Sequence, residues 1–172
     1  MRQKGGSMMK LQHCSLVVRD LAKSRWFYGT VLGMEEVARP PNFTFDGAWF
    51  RGDESEFHLI AASDTTAPPG FEDPGPAGHT GLATHIALEV TDLSGTKAQL
   101  EQYGIEILGG PMPRGDGVVQ MYVHDPDGYL IEFFEWAAGG KQEATERGAV
   151  RGEAVARTRS SGRQATLTRG EG

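Results

Sequence analysis

From His13 to Val18 the chain alternates: Cys14, Leu16 and Val18 form one apolar set, and His13, Ser15 and Val17 take the other side. Side chains point to opposite faces along a strand, so the pattern predicts a strand over 11–18 with one face packed under a helix. Asp20 then precedes a stretch with helical spacing over 21–32, and Asp is a favoured helix N-cap. Leu21, Trp26, Phe27 and Val31 are its expected core-facing positions. Gly33 marks its end. Strands are expected next near 35–39, 47–52 and 56–62. In the last of these, Phe57, Leu59 and Ala61 form the apolar set, and Glu56, His58 and Ile60 the other.

The same order recurs 72 residues later, and an internal repeat of this kind dominates any fold assignment. HCSLVVRDL from His13 aligns with HIALEVTDL from His85, and Gly104 takes the place of Gly33. The second half is expected to hold a strand at 83–91, a helix at 93–103 and strands near 105–109, 117–124 and 129–135. Asp125-Pro126-Asp127-Gly128 is a strong turn between the last two. These elements predict an α+β fold of two paired βαβββ modules, about 10–63 and 82–136, forming an open, cup-like mixed sheet. The Pro- and Gly-rich stretch 64–81 reads as the linker between them.

Composition bears mainly on the ends. Residues 137–172 are small and charged, with few large apolar side chains and a net charge of +3, which leaves −9 for the first 136. Such a segment buries too little surface to offset its ordering entropy, so a disordered basic tail is expected, with residues 1–9 also unstructured. The acidic body, and the lack of aromatic residues in the tail, argue against nucleic acid as a partner. No apolar run approaches the roughly 20 residues of a membrane span, and no apolar segment follows the basic start, so a soluble cytoplasmic protein is expected, with no membrane partner. Cys14 is the single cysteine, which excludes an intrachain disulfide; a buried structural thiol is expected.

The candidate chemistry follows from the repeat. His13 corresponds to His85 and His58 to Glu132, and all four fall on the strand faces left uncovered by the helices. Two pairs related by a pseudo-twofold axis would meet at one point. Imidazole and carboxylate suit a borderline divalent ion, so one Ni, Zn, Co, Mn or Fe ion on His13, His58, His85 and Glu132 is expected. His58 is the least essential of the four, because two histidines and a carboxylate suffice. His79 and His124 read as surface residues, and Trp26, Trp49 and Trp136 as core or rim packing.

With these residues in view the chain resembles the vicinal oxygen chelate superfamily, which includes glyoxalase I, bleomycin-resistance proteins, fosfomycin-resistance proteins and extradiol dioxygenases. The likeness covers about 10–136 and rests on HCSLVVRDLAKSRWFYGTVLGMEE, GLATHIALEVTDL and MYVHDPDGYLIEFFE. It implies paired βαβββ modules around a metal, with ligands on the first and last strands of each module, which are the positions of His13, His58, His85 and Glu132. Glyoxalase I-like members usually carry a carboxylate, active in proton transfer, where this chain has His58; Glu56 lies on the same face two residues earlier.

The resemblance implies a glyoxalase-like lyase or isomerase, with a small substrate chelated through adjacent oxygens and Glu132 as general base. Ser15, Glu56, Arg114, Gln120 and Phe134 are the expected substrate-facing residues. An extradiol-type dioxygenase, a fosfomycin-type transferase and a non-catalytic binding protein are the alternatives. A homodimer is expected, with a metal site within each chain, although modules of this kind can also pair across subunits.

Overall fold

The computed structural model describes residues 10–70 and 82–138. The expected unstructured start at 1–9, the tail beyond 138, and 71–81 of the linker with His79 lie outside the described residues.

The first half runs β1 (His13–Val18), α1 (Leu21–Arg25), a π-helical turn (Trp26–Val31), β2 (Glu35–Val37), β3 (Gly47–Gly52) and β4 (Ser55–Ala61). The second runs β5 (Ile86–Glu89), α2 (Leu93–Gln102), β6 (Gly109–Pro113), β7 (Val118–His124) and β8 (Leu130–Trp136). Each half builds a four-stranded mixed sheet, ordered β1-β4-β3-β2 and β5-β8-β7-β6. The first strand lies parallel to the last in both, Ser15 opposite His58 and Ala87 opposite Glu132. This is the expected repeated βαβββ unit, with the hydrogen-bonded strands in two separate sheets.

Asp20 caps α1 by accepting from the Ala22 and Lys23 N–H groups, and Asp92 caps α2 through the Gly95 N–H. These contacts satisfy donors that a helix start leaves open. Two expectations need correction. The helix over 21–32 is not α-helical throughout: after Arg25 it widens, and the Leu32 N–H reaches back five residues to the Phe27 carbonyl at 2.9 Å. Within it the buried Ser24, Phe27, Tyr28 and Val31 keep the three- and four-residue spacing of one helical stripe, and Trp26 falls off that stripe at 41% exposed, the reverse of its expected core role. The strand placed at 105–109 instead begins at Gly109. Ile105 and Ile107 pack against the core from an irregular segment.

One core serves both halves. Leu16, Val18, Phe27, Tyr28, Phe50 and Leu59 of the first join Leu100, Met121, Val123, Ile131 and Phe133 of the second in a single buried cluster. The halves therefore meet through their core-facing sides. Polar contacts reinforce the junction: the Tyr28 hydroxyl donates to Asp125 Oδ2 at 2.9 Å, Ser24 Oγ to Asp127 Oδ2 at 3.4 Å, and Gln99 Nε2 to the Val31 carbonyl at 2.6 Å. The Arg19 guanidinium lies 3.2 Å from Asp127 Oδ1. No helix among the described residues is long and apolar enough to cross a membrane.

Candidate metal centre

Each sheet has one face in the shared core and one facing away. In β1 and β4 the buried Leu16, Val18, Phe57 and Leu59 alternate with His13, Ser15, Glu56 and His58. Register places Trp49 of β3 beside His58, and Arg51 beside Glu56. The His58 ring is stacked between Trp49 (centroids 3.9 Å apart, planes 6°) and His13 (4.3 Å, 13°). Its Nε2 lies 3.0 Å from Glu56 Oε2, while Arg51 donates to Glu56 Oε1 from Nη2 at 2.7 Å and Nε at 3.1 Å. The contacts with His58, and then with Arg51, hold the Glu56 carboxyl down to about 2. His13 is exposed, with Nδ1 2.6 Å from Gln12 Oε1. In the neutral ring Nδ1 then carries the proton and Nε2 keeps its lone pair. Ser15 is exposed on the same face.

The second half carries a buried carboxylate. Glu132 is 2% exposed, and an ionised carboxyl survives burial only with partners. Arg114 Nη1 donates to Oε1 at 3.1 Å, and the Tyr122 hydroxyl to Oε2 at 3.1 Å. Burial, with the Glu132 charge, pushes the Tyr122 phenol up to about 12. Arg114 is also clamped by Asp116, at 2.8 Å from Nη2, and its guanidinium lies 5.6 Å from the Phe134 ring centre. Gln120 pairs in register with Phe134, and its Oε1 is buried with no hydrogen-bond partner among the described residues.

His85 completes this group. Its Nδ1 lies 2.8 Å from the Ala83 carbonyl oxygen, which accepts only if Nδ1 carries the proton. In the neutral ring, Nε2 then points a lone pair at Glu132 Oε2, 3.0 Å away. Two facing acceptors at that distance repel unless a proton or a cation sits between them. Two adjacent ligand atoms on a cation with bonds of about 2.0–2.2 Å are themselves about 3 Å apart, so the spacing fits a shared ion. A ligating histidine commonly donates its other ring N–H to a carbonyl, as His85 does to Ala83.

The four expected ligands form two pairs, not one cluster. Among the described residues no three His, Cys, Asp or Glu side chains lie close enough to hold an ion. The packing of the halves accounts for it: the alternate residues of both sheets enter one core, so each pair lies on the side of its own sheet away from that core. Strand alternation assigns a residue to a face but not the direction in which that face docks. Trp49, Arg51 and Tyr122 join the two groups without having been anticipated there. Register alone could have found them, since each lies opposite a candidate: His58, Glu56 and Glu132 respectively. Cys14, expected to be buried, is half-buried, and burial raises its thiol.

Residues 10–133 match the family model described as the Glyoxalase/Bleomycin resistance protein/Dioxygenase superfamily. The chain belongs to this superfamily. Among curated relatives, it is 30% identical to Glyoxylase I 4 of Arabidopsis thaliana over 126 residues, covering 73% of this chain and 70% of that protein. It is 32% identical over 136 residues to lactoylglutathione lyase of Neisseria meningitidis, covering 76% and 94%. The crystal structure of a glyoxalase/dioxygenase from Nostoc punctiforme superposes with a TM-score of 0.59 at 25% identity, covering 79% of this chain and 97% of that one. Within the superfamily the chain stands with lyase-named relatives at about this level of identity, and its repeated βαβββ sheets are the glyoxalase-like fold.

Proposed function

We propose that the chain is a metal-dependent lyase or isomerase of the glyoxalase type, acting on a small substrate held through two adjacent oxygens. One observation carries the reading: a histidine tied at Nδ1 to a backbone carbonyl aims Nε2 at a buried carboxylate 3.0 Å away. His85 and Glu132 would form half of the cation's site, and His13 with His58 the other half. Because the pairs belong to different halves and no three such ligands cluster among the described residues, we propose that two copies of the chain share the site, each giving one pair. A divalent cation there supplies Lewis acidity to the two substrate oxygens.

The protein's own groups divide the remaining work. Glu132 takes a proton from one substrate carbon and returns it to the neighbouring one. Tyr122, whose phenol is held near 12, stays a hydrogen-bond donor to Oε2 across the working pH range. Arg114 fixes Oε1, and its stack on Phe134 forms one wall. The unpartnered Gln120 Oε1 is an acceptor for a substrate hydroxyl. His58, on the face given by the other copy, stands where lyase members of the superfamily usually have a carboxylate, and Glu56 Oε2 lies 3.0 Å from its Nε2. We expect the enzyme to work in the cytoplasm.

Metal analysis of the purified protein, then hemithioacetal turnover with nickel, zinc, cobalt or manganese restored, tests the reading. His85→Ala should lose stoichiometric metal while keeping the fold; full retention would refute the site. Iron with oxygen uptake would select the dioxygenase alternative. Mixing His13→Ala with His85→Ala distinguishes a shared site from one within a chain. In a mixed twofold dimer one site is intact, so about a quarter of wild-type metal and activity should return. No recovery in verified mixed dimers would exclude sharing.

A further inference from the structure

We propose a second binding site, for a small flat aromatic zwitterion, in the groove where the π-helical turn of the first half meets the second half. The groove has a volume of about 380 Å³, within the range of about 300–1,000 Å³ usual for small-molecule clefts. Trp26, Ile105, Leu108 and Pro126 give it apolar walls, and Lys23 and Glu106 add one charge of each sign. It lies on the helix side of the fold and shares no lining residue with the His13–His58 or His85–Glu132 groups. The site stands independently of the metal reading.

Trp26 points to an aromatic occupant. Its neighbour Phe27 is fully buried, yet the Trp26 indole is 41% exposed at the groove. An indole left in water forgoes the largest apolar burial any side chain offers. The turn that presents it is the irregular, widened part of the helix, a distortion that recurs at functional sites. Tyr103 meets the indole edge-on with ring centres 6.1 Å apart, which props the ring while leaving a face for a flat partner.

The charges specify the rest. Lys23 is 72% exposed at its side chain, and its Nζ is 3.7 Å from Asp20 Oδ2, longer than a hydrogen bond. It can therefore take a carboxylate at little loss. Glu106 is exposed and has no hydrogen bond or ion pair among the described residues, which suits an ammonium group. Asp125, also in the lining, does not compete for the ammonium. Its oxygens already accept from the Tyr28 hydroxyl and from the backbone N–H groups of Asp127 and Tyr129. An occupant would touch both halves and so strengthen their junction.

Calorimetric titration of the full chain with L-tryptophan, tryptamine, indole-3-acetate and indole tests the proposal. L-Tryptophan should bind most tightly and raise the melting temperature. Trp26→Ala should weaken it about tenfold or more. Lys23→Met should weaken L-tryptophan and indole-3-acetate about threefold to fivefold and spare tryptamine; Glu106→Gln should weaken L-tryptophan and tryptamine and spare indole-3-acetate. Glu132→Gln should change none of them. Absence of saturable binding to the wild-type chain, or wild-type L-tryptophan affinity retained in both Trp26→Ala and Lys23→Met, would overturn it.

Discussion

Asp125 is the residue whose replacement tests the junction between the halves most sharply. It is 5% exposed, and its oxygens take three buried donors: Oδ1 the N–H groups of Asp127 and Tyr129, each at 2.9 Å, and Oδ2 the Tyr28 hydroxyl at 2.9 Å. Asp125→Ala strands all three, and with about 1–3 kcal/mol for each unsatisfied buried group the loss should reach about 3–5 kcal/mol. That is a large part of the roughly 5–15 kcal/mol that holds a domain together. Asp125→Asn keeps the Oδ1 bonds and should cost about 1 kcal/mol or less near neutral pH, because it also removes a buried charge. Burial pushes the Asp125 carboxyl up to about 6, with the nearby Asp127 charge adding to the rise and the three hydrogen bonds opposing it. The unfolded chain gives up this proton near pH 4, so between about 4 and 6 the folded chain binds more protons than the unfolded one. The residue's contribution to stability is therefore fully present below about pH 4 and falls as pH rises through 6, by about 3 kcal/mol in all. Asparagine has no such dependence. Urea unfolding followed by tryptophan fluorescence should show Asp125→Asn gaining on wild type by about 3 kcal/mol between about pH 4 and 7.5. A difference that stays flat over that range, or an alanine variant that loses less than about 1 kcal/mol, would refute the reasoning.

Further expectations concern backbone geometry, capping and the cation. Gly104 and Gly110 both have positive φ, but a Cβ at Gly104 meets nothing within 4 Å, whereas one at Gly110 would lie 2.4 Å from the Gln120 carbonyl oxygen. Gly104→Ala should cost about 1–2 kcal/mol for its left-handed backbone, and Gly110→Ala clearly more, as measured by calorimetry. Asp92→Ala removes the α2 cap on the Gly95 N–H and should cost about 1 kcal/mol by thermal melting followed by circular dichroism. Stripping the cation with a chelator should lower the melting temperature of wild type and leave that of Glu132→Gln unchanged; a cation at about a hundred times its Kd adds about 2.7 kcal/mol.

Much of this architecture could be read along the chain, for a physical reason. Leu16 and Val18 against His13 and Ser15, or Ile131 and Phe133 against Glu132, show the two-residue period that a half-buried strand imposes. The repeat fixed which strands correspond, and His85 does meet Glu132 at 3.0 Å. The widening of the first helix at Trp26 left no mark, because WFYGTV fits an α-helix equally well and tertiary packing chose the alternative. Ile105 and Ile107 carry strand chemistry yet pack as an irregular segment, since burial and not ladder pairing satisfied them. The separation of the two histidine groups lay beyond strand periodicity altogether. It depends on how one module docks on the other, through the shared core and the contacts of Tyr28, Ser24 and Arg19 with Asp125 and Asp127.

That last contact gives the duplicated chain a polarity. Shifted by the repeat offset, Arg19, Ser24 and Tyr28 become Thr91, Thr96 and Leu100, which lack the guanidinium and the phenol that the acidic turn grips. The lock therefore accepts a first half on a second half and rejects two second halves, whichever polypeptide each comes from. Fragments produced by cleavage between Gly70 and Leu82 should accordingly find each other and reassemble, whereas either alone would expose its half of the core.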